Sequence, residues 1–255
     1  MGTGLGPVFN SNACVNCHDI PISGGGAPAF VTRIGAIIDG KFDPLTKFGG
    51  SVLQANGITG DTLTHRFQAE APPPEATIVI TRRSPALFGL GLVEATPDST
   101  FADLVRQGEL RGDGTAGRVN MVDNVVTGTQ SGGKFGWKAQ IATLLECHVP
   151  TLQTGSNSSA AFDRVTYHPY SDFLLHDMGS LGDGIEQGSA TGREMRTAPL
   201  WGVRFGNNKF LHDGRARTLE DAILKHDGQG LAARNRFQKL SQANRTKLVE
   251  FLRRL

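Results

Sequence analysis

Apolar positions recur with a helical period in only a few stretches of this chain. Asp98-Ser-Thr100 stands ready to cap Phe101-Ala-Asp-Leu-Val-Arg-Gln107, a run that Gly108 should end. Between Trp137 and Glu146, Ile141, Leu144 and Leu145 fall on one helical face. Thr218 can cap Leu219-Glu-Asp-Ala-Ile-Leu-Lys-His226, with acids in the first turn and Gly228 beyond the end. Ser241 opens a terminal helix in which Leu248, Phe251, Leu252 and Leu255 share one stripe, with Lys247, Arg253 and Arg254 outside it. One β-branched run, Ala76-Thr-Ile-Val-Ile-Thr81, follows the stiff Pro72-Pro73-Pro74 and reads as a short strand. The remainder, including most of the first 70 residues, reads as loop, with Ser23-Gly-Gly-Gly26, Gly49-Gly50 and Gly112-Asp-Gly-Thr-Ala-Gly117 as markers. Short helices in long loops, with a late amphipathic helix, predict an all-α fold with long irregular loops and few short strands.

Composition narrows the class. A chain of 255 residues makes one large domain or two small ones, and its 33 glycines fit the abundance of turns. A net charge of +2 without a Lys/Arg cluster argues against nucleic acid as the main partner. Three cysteines are too few for a disulfide scaffold. No run approaches the ~18 apolar residues of a membrane helix. Met1-Gly-Thr-Gly-Leu-Gly-Pro7 has neither the basic region nor the apolar stretch of a secretory signal.

Chemistry concentrates at Cys14-Val-Asn-Cys17-His18. A Cys-x-x-Cys-His run is how c-type haem is attached: two thiols meet the two vinyl groups, and the histidine that follows ligates iron. A thioredoxin-type pair would sit in a βαβ unit, and no such pattern surrounds it. A structural zinc site would need a second cluster, which the chain lacks. Since bacterial haem attachment takes place outside the cytoplasm, the cofactor implies a mature or trimmed exported, periplasmic form. A second pair, Cys147-His148, resembles the tail of another such motif, but Leu144 stands where its first cysteine belongs. Three readings stay open there: an ordinary buried thiol beside a surface histidine, haem held by one thioether, or two stretches joined across an absent loop.

Several stretches resemble the di-haem oxidoreductase (putative peroxidase) family, related to di-haem cytochrome c peroxidase and MauG-type proteins. They are Gly4-Leu-Gly-Pro-Val-Phe-Asn10, Ser84-Pro-Ala-Leu-Phe-Gly-Leu-Gly-Leu-Val-Glu94, Phe135-Gly-Trp-Lys-Ala139 and Cys147-His-Val-Pro-Thr-Leu152. His168-Pro-Tyr-Ser-Asp-Phe-Leu-Leu-His-Asp-Met178, Arg196-Thr-Ala-Pro-Leu-Trp201 and Phe210-Leu-His-Asp-Gly-Arg-Ala-Arg-Thr-Leu-Glu220 complete the series, in order along nearly the whole chain. The resemblance implies two cytochrome c-like halves, 1–136 and 137–255, each with a covalent haem. It makes Cys147 and His148 the second site and favours a loop absent between Glu146 and Cys147, which predicts a backbone break there.

On that resemblance His18 and His148 are the proximal iron ligands. Met178, with ordinary core packing as its alternative, is the candidate far-side ligand of the second haem. Leu211 stands where some relatives carry a ligating methionine and cannot bind iron. His65 is the candidate sixth ligand or proton acceptor at the first haem, and Glu70 could share proton transfer; a solvated polar loop is the alternative for both. His176 and His212 each precede an Asp that could orient the ring, or form a plain structural turn. Trp137 is a candidate electron relay or an indole packed on porphyrin. Arg193, Arg196 and Arg215 could pair with haem propionates. Relatives hold calcium between domains, although no calcium-loop spacing occurs here. The expected activity is reduction of hydrogen peroxide with electrons from a small redox protein. The competing readings are a non-catalytic electron carrier, with one haem or two, and a structural haem domain.

Overall fold

Strand-forming runs carry more of this chain than its helical periodicity predicts. The computed structural model describes residues 7–26, 29–58, 67–147 and 166–255. The chain forms two compact units, Met1–Leu87 with Phe205–Thr218 and Phe88–Arg204 with Leu219–Leu255. The boundary expected at 136–137 lies inside the second unit.

In the first unit, β1 (Val8–Phe9) leads into the haem motif, and β2 (Phe30–Ile38) is the spine of a sheet. Four short strands follow: β3 (Lys41–Asp43), β4 (Val52–Leu53), β5 (Asn56–Gly57) and β6 (Ile78–Arg83). All pairings are antiparallel, and β4 and β6 flank β2, since Thr32 faces both Leu53 and Thr81. The β2–β3 hairpin turns at Asp39-Gly40, where both residues have positive φ (51° and 75°). That is the primed two-residue turn whose twist matches its strands, and Asp-Gly is its preferred sequence. Along β2, Ile34 and Ala36 point to one side and pack with Leu45 and Leu53 as a small core.

The second unit opens with α1 (Leu90–Ala95) and α2 (Asp98–Arg111). It continues with a β7 (Met121–Asn124)–β8 (Thr129–Gly132) hairpin and an antiparallel pair, β9 (Leu175–Asp177) with β10 (Glu194–Arg196). It closes with α3 (Leu219–Lys225), α4 (Leu231–Gln238) and α5 (Gln242–Leu252). Leu90, Val93, Phe101, Phe135, Phe173 and Leu174 form its core, with the Phe101 and Phe173 rings edge to face at 6.3 Å. Aromatic pairs favour that geometry because the positive edge of one ring meets the negative face of the other.

An all-α fold is therefore not what forms: among the described residues, α-helices and 3-10 turns together make up 29% and strand, in several small sheets, 21%. The physical reason is the β-branched content of 30–38 and 78–83, bound together through a full register of pairs. Helix α2 also runs through Gly108, expected as its stop, to a left-handed cap at Gly112. Gly108 is interior because a Cβ there would stand 3.1 Å from Ala116 Cα. The helix expected over Trp137–Glu146 is replaced by a turn bridging Phe135 and Ile141, followed by one 3-10 turn, Leu144–Cys147. Helices α3 and α5 start where their signals place them, whereas α4 forms in a stretch given no helical reading and α5 ends before Leu255. Ser241 Oγ accepts from the Asn244 N–H at 3.3 Å.

Candidate functional site

In the first unit the haem motif lies on a 3-10 turn, Cys14–Asn16, closed by the Cys17 N–H donating to the Cys14 carbonyl at 3.1 Å. In a 3-10 turn, positions i and i+3 eclipse. Cys14 and Cys17 therefore share one side, as two thioethers to one porphyrin require. Both thiols are free, Cys14 exposed and Cys17 partly buried. Asn16 Nδ2 steadies the turn from within, donating to Asn12 Oδ1 at 2.8 Å and Ser11 Oγ at 3.0 Å. Asn10 ties it to the β5 strand: its side chain accepts from the Ala55 N–H at 3.1 Å, and its carbonyl accepts from Asn56 Nδ2 at 2.9 Å.

His18 follows on the same turn, its N–H donating to the Val15 carbonyl at 3.2 Å and its carbonyl accepting from Gly24 at 2.8 Å. Its ring Nδ1 is buried and has no hydrogen-bond partner among the described residues. An orphaned buried nitrogen costs roughly 1–3 kcal/mol, so such a ring is stabilised by whatever engages it. Val15 and Ile22 expose 46% and 62% of their surface beside the motif, apolar area that a flat apolar body would cover. The thiols, ring and apolar rim thus fit a covalent haem.

The other candidate residues fall as follows. His65 and His148 lie outside the described residues, as does the side chain of Cys147. Glu146 and Cys147 fall within the Leu144–Cys147 turn, and the second motif has one cysteine in this chain. Glu70 forms a reciprocal clamp with Gln54: its carboxylate accepts the Gln54 N–H at 2.7 Å and its own N–H reaches the Gln54 carbonyl at 2.9 Å. Arg215 is exposed and held by Asp213 in its own turn.

In the second unit, β10 brings Arg196 and Trp137 together. The Arg196 N–H donates to the Trp137 carbonyl at 2.8 Å, and its guanidinium donates to the carbonyls of Gly136 (2.6 Å) and Thr197 (3.2 Å). The charge sits 5.6 Å above the Phe173 ring. Burial pushes its pKa down to about 10, and no carboxylate pairs with it among the described residues. Arg193 is instead an exposed ion pair with Asp177 at 3.0 Å, which raises the arginine's pKa and lowers the aspartate's.

His176 pairs with Asp172, four residues earlier, at 2.9 Å, and not with the Asp that follows it. His212 Nε2 stands 4.0 Å from Asp213, beyond hydrogen-bond reach.

Met178 follows β9, its N–H donating to the Arg193 carbonyl at 3.0 Å. A Cβ placed on Gly230 would lie 3.4 Å from Met178 Cε and 3.2 Å from His226 Cβ, so both side chains border Gly230. His226 Nδ1 lies 2.7 Å from the Ala222 carbonyl. A carbonyl only accepts, so Nδ1 carries the proton and the neutral ring keeps its lone pair on Nε2. Sequence reasoning passed over His226, whose Gly-Gln-Gly surroundings gave no ligand spacing.

It also missed a buried cation, Lys138, which is 0% exposed. Its ammonium donates to the carbonyls of Thr191 (2.8 Å) and Glu194 (2.7 Å) and pairs with Asp183 at 3.3 Å. Among the described residues no three His, Cys, Asp or Glu side chains gather as a metal site.

No curated protein and no solved structure matches the chain. A family model does, over the segment that holds Cys147, Met178, Arg196 and His226. The resemblance read from the motifs thus holds for residues 142–255, which match the di-haem oxidoreductase, putative peroxidase, family.

Proposed function

We propose that this protein is an exported c-type haem oxidoreductase that reduces hydrogen peroxide, taking two electrons from a small redox protein and two protons to release two waters. The observation that carries the reading is the Cys14–His18 turn, with two free thiols on one side and a buried histidine nitrogen that lacks a partner among the described residues. Bound there, haem would supply an iron that stores electrons and, where a coordination position is open, binds peroxide. Cys14 and Cys17 would anchor it and His18 would ligate it. Cys147 would hold the second haem by a single thioether, with His148 as ligand.

The family match, which covers Cys147, Met178, Arg196 and His226, supports oxidoreductase chemistry in coarse terms. Arg196 would offer a buried positive charge to a propionate, since a guanidinium fork suits a carboxylate and its hydrogen bonds among the described residues go to carbonyls. Arg215 could join only by releasing Asp213. His65 would take the proton from bound peroxide, with Glu70, held by Gln54, beside it in the chain. Trp137, joined to Arg196 through its carbonyl, would relay electrons.

A second reading, a pure electron carrier, draws on Met178 and His226 bordering Gly230, two groups able to fill a sixth iron position. Peroxide turnover by the haem-loaded protein separates the two. The peroxidase reading expects turnover that falls at least tenfold in His65→Ala with haem still attached. No turnover, with a methionine-type charge-transfer band that Met178→Ala abolishes, would leave the carrier.

A further inference from the structure

Charge is distributed unevenly along the chain. Residues 231–255 carry seven Arg and Lys and one acid, Glu250, a net +6, so the other 230 residues carry −4 of the chain's +2. These basic residues form no continuous run; α4 and α5 gather them. Three are engaged: Arg253 with Glu250 (3.3 Å), Arg245 with Glu220 (3.8 Å), and Arg234 with the His226 carbonyl (3.1 Å). Arg236, Lys239, Lys247 and Arg254 are exposed and have no acidic partner among the described residues.

On α5 the charges frame an apolar centre. Phe251 is 42% and Leu248 39% exposed, and the Phe251 ring meets Tyr170, itself 49% exposed, edge to face at 5.5 Å. Lys247 lies one turn before Phe251 on the helix, and Arg254, two residues past the helix end, is tied back by its N–H donating to the Phe251 carbonyl at 3.0 Å. Aromatic side chains at the centre with a charged rim are the anatomy of a protein–protein contact.

We propose that the α4–α5 face docks an acidic protein, with Phe251, Leu248 and Tyr170 at the centre and Lys247 and Arg254 steering it. That this partner is the electron donor rests on the function proposed above. A lipid surface fits less well: a membrane-lying helix inserts a broad apolar face, whereas on α5 Leu252 is partly buried and the large apolar side chains exposed among the described residues are Leu248 and Phe251. Single-stranded nucleic acid stacks its bases on open ring faces, and here the two rings meet at 81°, edge to face. Opposite charges across such a face speed encounter and make it fall steeply with ionic strength.

The test is binding of the full haem-loaded protein to a small acidic flavodoxin, followed by surface interferometry at low and high salt. Affinity should fall with salt and drop about tenfold or more at low salt in the Lys247→Glu/Arg254→Glu variant. Phe251→Ser should speed dissociation, while Lys41→Glu, on the first unit, should change nothing. Thermal melts matching the parent would show that the variants fold. Salt-independent binding, or full affinity in the double variant, would overturn the proposal. So would tighter binding through these residues to phosphatidylglycerol vesicles or a single-stranded oligonucleotide. Peroxide turnover driven by a small-molecule reductant tells the two hypotheses apart. Lost docking with that turnover intact condemns only this face, and lost turnover with intact docking condemns only the peroxidase reading.

Discussion

Lys138 places a full positive charge where no solvent reaches, and the second unit is built to accept it. The carbonyls of Thr191 and Glu194 and the carboxylate of Asp183 surround the ammonium. Lys138→Met should therefore destabilise the protein by about 3–5 kcal/mol, the cost of removing one partner from a buried ionic cluster. Urea unfolding would check this, and a loss below 1 kcal/mol would show that the cluster holds little. Asp172 offers a second residue-scale test. Burial pushes its carboxyl up, but the His176 hydrogen bond and charge, together with hydrogen bonds from the Leu174 N–H and Thr197, outweigh that and leave it below its ordinary value of 3.8. An acid depressed in the fold stabilises above the unfolded pKa and loses that contribution as pH falls through the folded one. With His176→Ala, acid unfolding should begin at a higher pH, by tryptophan fluorescence; an unmoved midpoint would mean the pair is inert. At this scale the sequence was an uneven guide. Cys14, Cys17 and His18 stand out as candidates because haem attachment needs neighbours in the chain. Lys138 does not, because its partners lie 45 to 56 residues away, and no local pattern distinguishes a caged lysine from a solvated one.

At the scale of elements, the informative misreading is the first unit. Asp39-Gly40 between Ile37-Ile38 and Lys41-Phe42 carries a strong hairpin signal, yet the surrounding glycines made the segment read as loop. The β6 run was recognisable from Ile78-Val-Ile, shifted by two residues. Gly108 was read as a stop although its role is close approach to Ala116, which only tertiary packing reveals. Ile141, Leu144 and Leu145 have helical spacing, but the chain bridges Phe135 to Ile141 instead, and Leu144 still reaches the core. Gly89 tests how the α1 start is built. It has φ of +70°, and a Cβ would fall 2.3 Å from the Trp201 ring. Gly89→Ala should cost about 2–4 kcal/mol through backbone strain and overpacking together, read as a lowered thermal midpoint. A variant as stable as the parent would mean that neither the positive φ nor the ring contact is held.

For the whole molecule, two units with mixed helix and strand replace the expected all-α pair, while the family match over 142–255 agrees with the motifs that suggested it. The net charge of +2 hid a basic C-terminal segment, residues 231–255, because an average over 255 residues cancels what position preserves. The central claim is covalent haem on the Cys14–His18 turn. Its most direct test is intact mass together with a pyridine haemochrome assay on the exported protein, made beside a haem-attachment system. The account predicts two covalent haems per chain, one of them lost in Cys14→Ser/Cys17→Ser and the other in Cys147→Ser. One haem would reduce the second motif to scaffold, and a chain with no covalent haem would contradict the account.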